Sequence, residues 1–147
     1  MSSGHPSFDH TVQDANLWLK AVAAQLHFEE RRHAYSALRA VLHALRDRLQ
    51  TQNAVNFAAQ LPMVIRGLYY EGWRCDEKPS DDDTVDEFCA TVKNGLPPQF
   101  PMDARTLSRG VFQVIFDRLD PGETAKVIGQ LPVALRSLWP EAARRAS

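Results

Sequence analysis

Several features that commonly announce a function are missing from this sequence. Its 17 Lys and Arg are balanced by 18 Asp and Glu, leaving a net charge of -1. The strong basic excess of a dedicated nucleic-acid binder is therefore absent. No run approaches the roughly 18 uninterrupted apolar residues of a membrane-spanning helix. Residues 1–11 (MSSGHPSFDHT) have no basic start, apolar stretch or small-residue cleavage pattern, so no secretory leader is expected. The only cysteines are Cys75 and Cys89. One pair in a chain long enough to bury a core says little for an oxidising compartment, and two reduced thiols in a cytoplasmic protein are expected. The 7 glycines and 5 histidines form no Gly-rich phosphate loop, no G-x-S-x-G and no H-E-x-x-H. Nothing alternates with period two over a useful length, which argues against a sheet.

What is present is length, apolar content and repetition. A chain of 147 residues, 44% of them hydrophobic, suffices for one compact domain burying roughly 70% of its unfolded surface. Shifted by seventy positions without a gap, Asp47-Arg48-Leu49 falls on Asp117-Arg118-Leu119 and Gln60-Leu61-Pro62 on Gln130-Leu131-Pro132. Arg66 then meets Arg136, Leu68 meets Leu138 and Tyr69 meets Trp139, while upstream Trp18 meets Phe88 and Val22 meets Val92. Register held this long predicts an all-α fold in which a unit of roughly four helices is duplicated in tandem and packed into one globular bundle. The expected division is a disordered start (1–8), a first repeat (9–73), an acidic linker (74–83), a second repeat (84–140) and a loose tail (141–147). The stretch 75–90 holds seven acids and one lysine, Lys78. It reads as a solvated connector, with Asp83 or Thr84 placed to cap the next helix.

Within the first repeat, Val12, Ala15, Leu19, Val22 and Leu26 recur at three- and four-residue steps and predict one helix with a single apolar face. Tyr35, Leu38, Leu42, Leu45 and Leu49 predict a second, whose flank of Ala34, Ala37, Ala40, Val41 and Ala44 allows close approach by another helix. Thr51 is placed to cap a short third helix. Its counterpart Asp120-Pro121-Gly122-Glu123 is a fuller start signal, an N-cap acid with proline at the first position. Pro62 and Pro132 each precede an apolar run and should open a new helix or kink an old one.

The string Gln60-Leu61-Pro62-Met63-Val64-Ile65-Arg66-Gly67-Leu68-Tyr69-Tyr70-Glu71-Gly72-Trp73, preceded by Leu38–Leu49, carries a resemblance. With Asp86-Glu87-Phe88 and Leu131-Pro132…Leu138-Trp139-Pro140, it resembles the bacterial domain-of-unknown-function family numbered 2267 over about residues 8–140. The resemblance implies a small, mostly cytoplasmic, all-helical protein. It implies no activity.

Candidate site residues follow from the repeat and from helical spacing. Asp47 with Arg66, and Asp117 with Arg136, are expected to form two structural clamps, since arginine suits a bidentate contact with carboxylate. Arg32, Arg39 and Arg46, seven apart with Ser36 and His43 between, predict a basic stripe that could meet phosphates. Tyr70 and Trp73 have no aromatic counterparts (Pro140 and Ala143 stand there), so they predict packing between the repeats or a contact for another protein. No histidine pair has the spacing of a zinc site, and surface positions are expected for all five. Glu29-Glu30 and Asp82-Asp83 are adjacent in sequence, so their side chains diverge and do not flank one substrate. No catalytic, cofactor-binding or metal-ligating residue is predicted. The expected role is a non-enzymatic interaction module for a protein partner or a second copy of the chain. A polyanion- or nucleic-acid-associated regulator is the alternative, and an enzyme with a composite site the third.

Overall fold

The computed structural model describes residues 4–145, and among them the protein is entirely helical. The elements run α1 (Pro6–Leu26), α2 (Arg31–Arg48), α3 (Thr51–Ala58), α4 (Met63–Tyr70), α5 (Val85–Asn94), α6 (Ala104–Arg118), α7 (Pro121–Gly129), a 3₁₀ segment (Val133–Leu138) and α8 (Glu141–Arg145). Their boundaries have local causes. Asp120 accepts hydrogen bonds from the backbone of Gly122 and Glu123 ahead of Pro121, as its sequence predicts. Thr84 and Glu87 form a reciprocal capping box at the start of α5. Pro62 and Pro132 stand immediately before α4 and the 3₁₀ segment. Helix α1 stops where His27 turns left-handed (φ 60°) and its N–H reaches back to Ala23 O.

Helix α2 is the centre of the bundle. Ala34, Ala37, Leu38, Val41, Leu42 and Leu45 are fully buried, and the helix packs against α1, α4, α5 and α6. Its small residues permit this, because alanine lets a neighbouring backbone draw near. Helix α1 crosses α6 at Gly110, where an added Cβ would lie 2.3 Å from Leu26 Cδ2. Helix α3 meets α7 across the other end. One hydrophobic cluster therefore spans residues from Trp18 to Ala143.

The structure corrects several expectations. Tyr35 and Val12, read as core positions, are 43% and 55% exposed. Tyr35 lies about one turn into α2. Thr51 is the first residue of α3 rather than its cap, and its hydroxyl instead reaches Cys75 O at 3.5 Å. The start is not wholly disordered, since Pro6–Phe8 already belong to α1; residues 1–3 lie outside the described residues. The tail is not loose through Arg145, because α8 packs Ala143 into the core, leaving residues 146–147 outside the description. The linker is pinned rather than merely solvated. Ser80 N donates to Asp47 O (2.8 Å), Arg48 Nε donates to Asp82 O (2.7 Å), and Thr91 Oγ1 donates to Asp82 Oδ2 (2.6 Å).

Candidate functional site

The expected clamps do not form. Arg66 donates from Nε to Ala58 O (3.1 Å) and from Nη2 to Leu61 O (2.9 Å). Arg136 donates from Nε to Leu131 O (3.1 Å) and from Nη2 to Gly129 O (3.2 Å). Each arginine thus serves carbonyls at or just beyond the end of the preceding helix, Ala58 O also accepting from Leu61 N. Those acceptors lie within eight residues in sequence, closer than the carboxylates first assigned. Asp47 pairs instead with its neighbour Arg46 (2.8 Å), and Asp117 accepts from Gln113 Nε2 (2.9 Å).

The arginine stripe is also dismantled. Arg46 is 5% exposed and donates from Nη1 to Tyr69 O (3.0 Å) and Glu71 O (2.8 Å), closing the C-terminal end of α4. Arg39 is bound to Glu71 Oε1 at 2.8 Å and Arg32 to Glu30 at 2.5 Å. All three basic groups face an acid, Arg46 through Asp47, and Arg46 is inside the protein. Tyr70 and Trp73 stack with ring centroids 5.4 Å apart. Both are half-buried and packed on the core. Tyr70 is the last residue of α4, which packs on α1, α2 and α3, and Trp73 beyond it lines a groove with Lys78, Pro79 and Ser80.

The histidines hold structural places. His5 Nδ1 accepts from Ser7 N at the start of α1, and His33 sits edge-on between Phe28 and Phe100. His43 Nε2 donates to Leu68 O at 2.8 Å. Burial holds its pKa below the ordinary imidazole value; the Leu68 carbonyl opposes this, and Arg46 and Arg39 reinforce it. Both cysteines are free thiols, Cys75 exposed and Cys89 partly covered. Burial pushes the Cys89 thiol pKa up, away from the thiolate that nucleophilic chemistry needs. Among the described residues no group of three or more His, Cys, Asp or Glu is placed to hold a metal ion.

Two surface features were not singled out in the sequence. The first is the N-terminal half of α1. This helix has 21 residues, about 31 Å at 1.5 Å per residue, yet its buried residues are Trp18, Val22 and Leu26 alone. The apolar edge continues upstream through Ala15 and Val12 to Phe8, which is 64% exposed. The i, i+4 spacing of Phe8 and Val12 was the available signal. The second is a groove of about 420 Å³ between the end of α1, α6 and the turn into α8, with Arg109 and Arg144 on its walls. No sequence motif marks it.

The all-helical bundle built around α2 defines the class of fold. The family model described as "Uncharacterized conserved protein (DUF2267)" matches residues 15–138. The chain belongs to that family. No curated protein matches the sequence.

Proposed function

We propose that this chain arose by tandem duplication of one helical unit and acts as a non-enzymatic, cytoplasmic protein-interaction module. The duplication is supported by spacing that extends from sequence into packing. Helices α3 and α7 begin at 51 and 121, α4 and the 3₁₀ segment at 63 and 133, and α2 and α6 end at 48 and 118. Buried residues keep that spacing: Trp18 and Phe88, Val41 and Val111, Leu45 and Ile115, Ile65 and Leu135, Tyr69 and Trp139. Arg66 and Arg136 make the same kind of contact seventy residues apart.

The observation that carries the interaction reading is the uncovered apolar edge of α1. Phe8 and Val12 are 64% and 55% exposed on a helix half that contributes no buried residue. An amphipathic helix of a partner protein is the occupant that suits such an edge, laying its own apolar stripe along Phe8 and Val12. No helix among the described residues is long and apolar enough to cross a membrane. The polyanion alternative finds little support, since Arg46 is buried and Arg39 is paired with Glu71.

A photo-reactive residue at position 12, introduced in host cells, tests this. It should give one discrete crosslinked product whose peptide maps to a helical segment, and Phe8→Glu should abolish it while leaving the melting temperature unchanged. A product at twice the chain mass would mean that a second copy is the occupant and would overturn the choice of a foreign partner. Absence of a discrete product, or one indifferent to Phe8→Glu, would overturn the interaction reading.

A further inference from the structure

The two halves treat one arginine and one glutamate differently. In the first, Arg39 Nε donates to Glu71 Oε1 at 2.8 Å, and Tyr70 lies against Trp73. Seventy positions on, Arg109 and Glu141 are both present but are not joined. The reason is backbone. Helix α4 runs through to Tyr70, so Glu71 follows directly over α2. In the second half the 3₁₀ segment ends at Leu138, Pro140 stands where Tyr70 would be, and Glu141 opens a new helix. Glu141 there approaches Arg145 at 3.9 Å. Ala143 replaces the bulk of Trp73.

A groove of about 420 Å³ lies here, lined by Leu138, Trp139 and Pro140 together with the guanidinium groups of Arg109 and Arg144 and one carboxylate, Glu141, which is turned toward Arg145. Arg144 is anchored through Nε to Trp139 O at 3.2 Å. Arg109 makes only a long contact to Ser137 O (3.4 Å) and no ion pair among the described residues. The volume falls in the range of small-molecule sites. Guanidinium forks recognise planar or tetrahedral oxyanions.

We propose that this groove binds a small organic oxyanion, its carboxylate or phosphate head held by Arg109 and its apolar body lying over Leu138 and Pro140. The proposal is independent of the α1 interaction surface, whose residues it does not use. Titration of the ¹⁵N-labelled full chain with benzoate and, separately, inorganic phosphate tests it at constant ionic strength, with sodium chloride as control. The backbone amides of Ser137–Arg144 should shift saturably. Arg109→Gln should weaken the response at least about tenfold, Arg109→Lys less, and Arg118→Gln not at all. A response to benzoate over phosphate assigns a carboxylate with an apolar body, and the reverse assigns a phosphate; either supports the groove. No saturable shift with either anion up to about 50 mM, an equal response to chloride, or one that survives Arg109→Gln would overturn it.

Discussion

Replacing Gly110 tests the closest approach in the bundle. An added Cβ would lie 2.3 Å from Leu26 Cδ2 and 2.9 Å from Leu26 Cγ, and Leu26 is 5% exposed with little room to retreat. Two effects oppose each other. Alanine within a helix is favoured over glycine by about 1 kcal/mol, whereas forcing a methyl into a packed core costs about 1–3 kcal/mol. Gly110→Ala should therefore come out between neutral and about 2 kcal/mol destabilising. Gly67 supplies the reference, because it lies inside α4 and nothing stands within 4 Å of its added Cβ. There the propensity gain of about 0.5–1 kcal/mol should appear undiminished. Urea denaturation followed by circular dichroism measures both changes, provided the slopes match. The decisive step is the Leu26→Ala background, itself about 2–5 kcal/mol less stable. With the leucine methyls gone, Gly110→Ala should become stabilising. If it stabilises the wild type as fully as Gly67→Ala does, α1 and α6 do not meet as described.

That contact also explains how the bundle is held together. Leu26 belongs to the first four helices and Gly110 to the later ones, and α2 likewise packs on both α5 and α6. Gly95, at the end of α5, sits with its added Cβ 3.5 Å from Ala40 Cβ, an ordinary contact. Each long helix thus buries part of its surface against the other half of the chain. An isolated half would expose much of α2, half of whose 18 residues are buried. Such a fragment would carry a large apolar surface in water and would not be expected to stay folded alone.

Much of this architecture was legible because helices report themselves by spacing and by end signals. The Asp120-Pro121 start, the proline entries at 62 and 132, and the alanine-rich flank of α2 each need only a few neighbouring residues to be read. The failures lie where one element meets another. Arg32, Arg39 and Arg46 look collinear at seven-residue steps, but a straight helix drifts about 20° per heptad. By Arg46 the side chain has rotated beneath α4, and its donors close the end of that helix. Asp47 and Arg66 seemed natural partners by charge, yet helix-end carbonyls nearer in sequence captured the arginine. The Arg109 groove left no signature, because it is made by what Pro140 and Ala143 fail to cover.

Two further perturbations separate structural from electrostatic roles. Arg66→Ala and Arg136→Ala should each cost about 1–2 kcal/mol, as two charge-assisted bonds to helix-end carbonyls are lost at partly exposed sites. Asp47→Asn and Asp117→Asn should cost less than about 1 kcal/mol. Urea midpoints would refute the capping account if the aspartates mattered more than the arginines. His43 then predicts a response to pH. Its folded pKa lies below the ordinary value of 6.5, chiefly through burial. As pH falls through 6.5 the unfolded chain takes up a proton at this site while the folded chain resists, so the unfolded state gains and stability drops. The loss levels off once pH passes below the folded pKa. Between pH 7.5 and 5.5 this window stays above the carboxylates Glu30, Glu87 and Asp103, whose lowered values bring losses only at more acid pH. His43→Gln keeps an amide donor for Leu68 O and removes the titration; Gln already occupies position 113, seventy residues on. The wild type should therefore lose more stability than the variant over that interval, at no more than about 1.4 kcal/mol per pH unit. Equal losses in the two proteins would mean that His43 titrates as freely in the bundle as in the unfolded chain, and that its burial beneath α4 is not what the geometry describes.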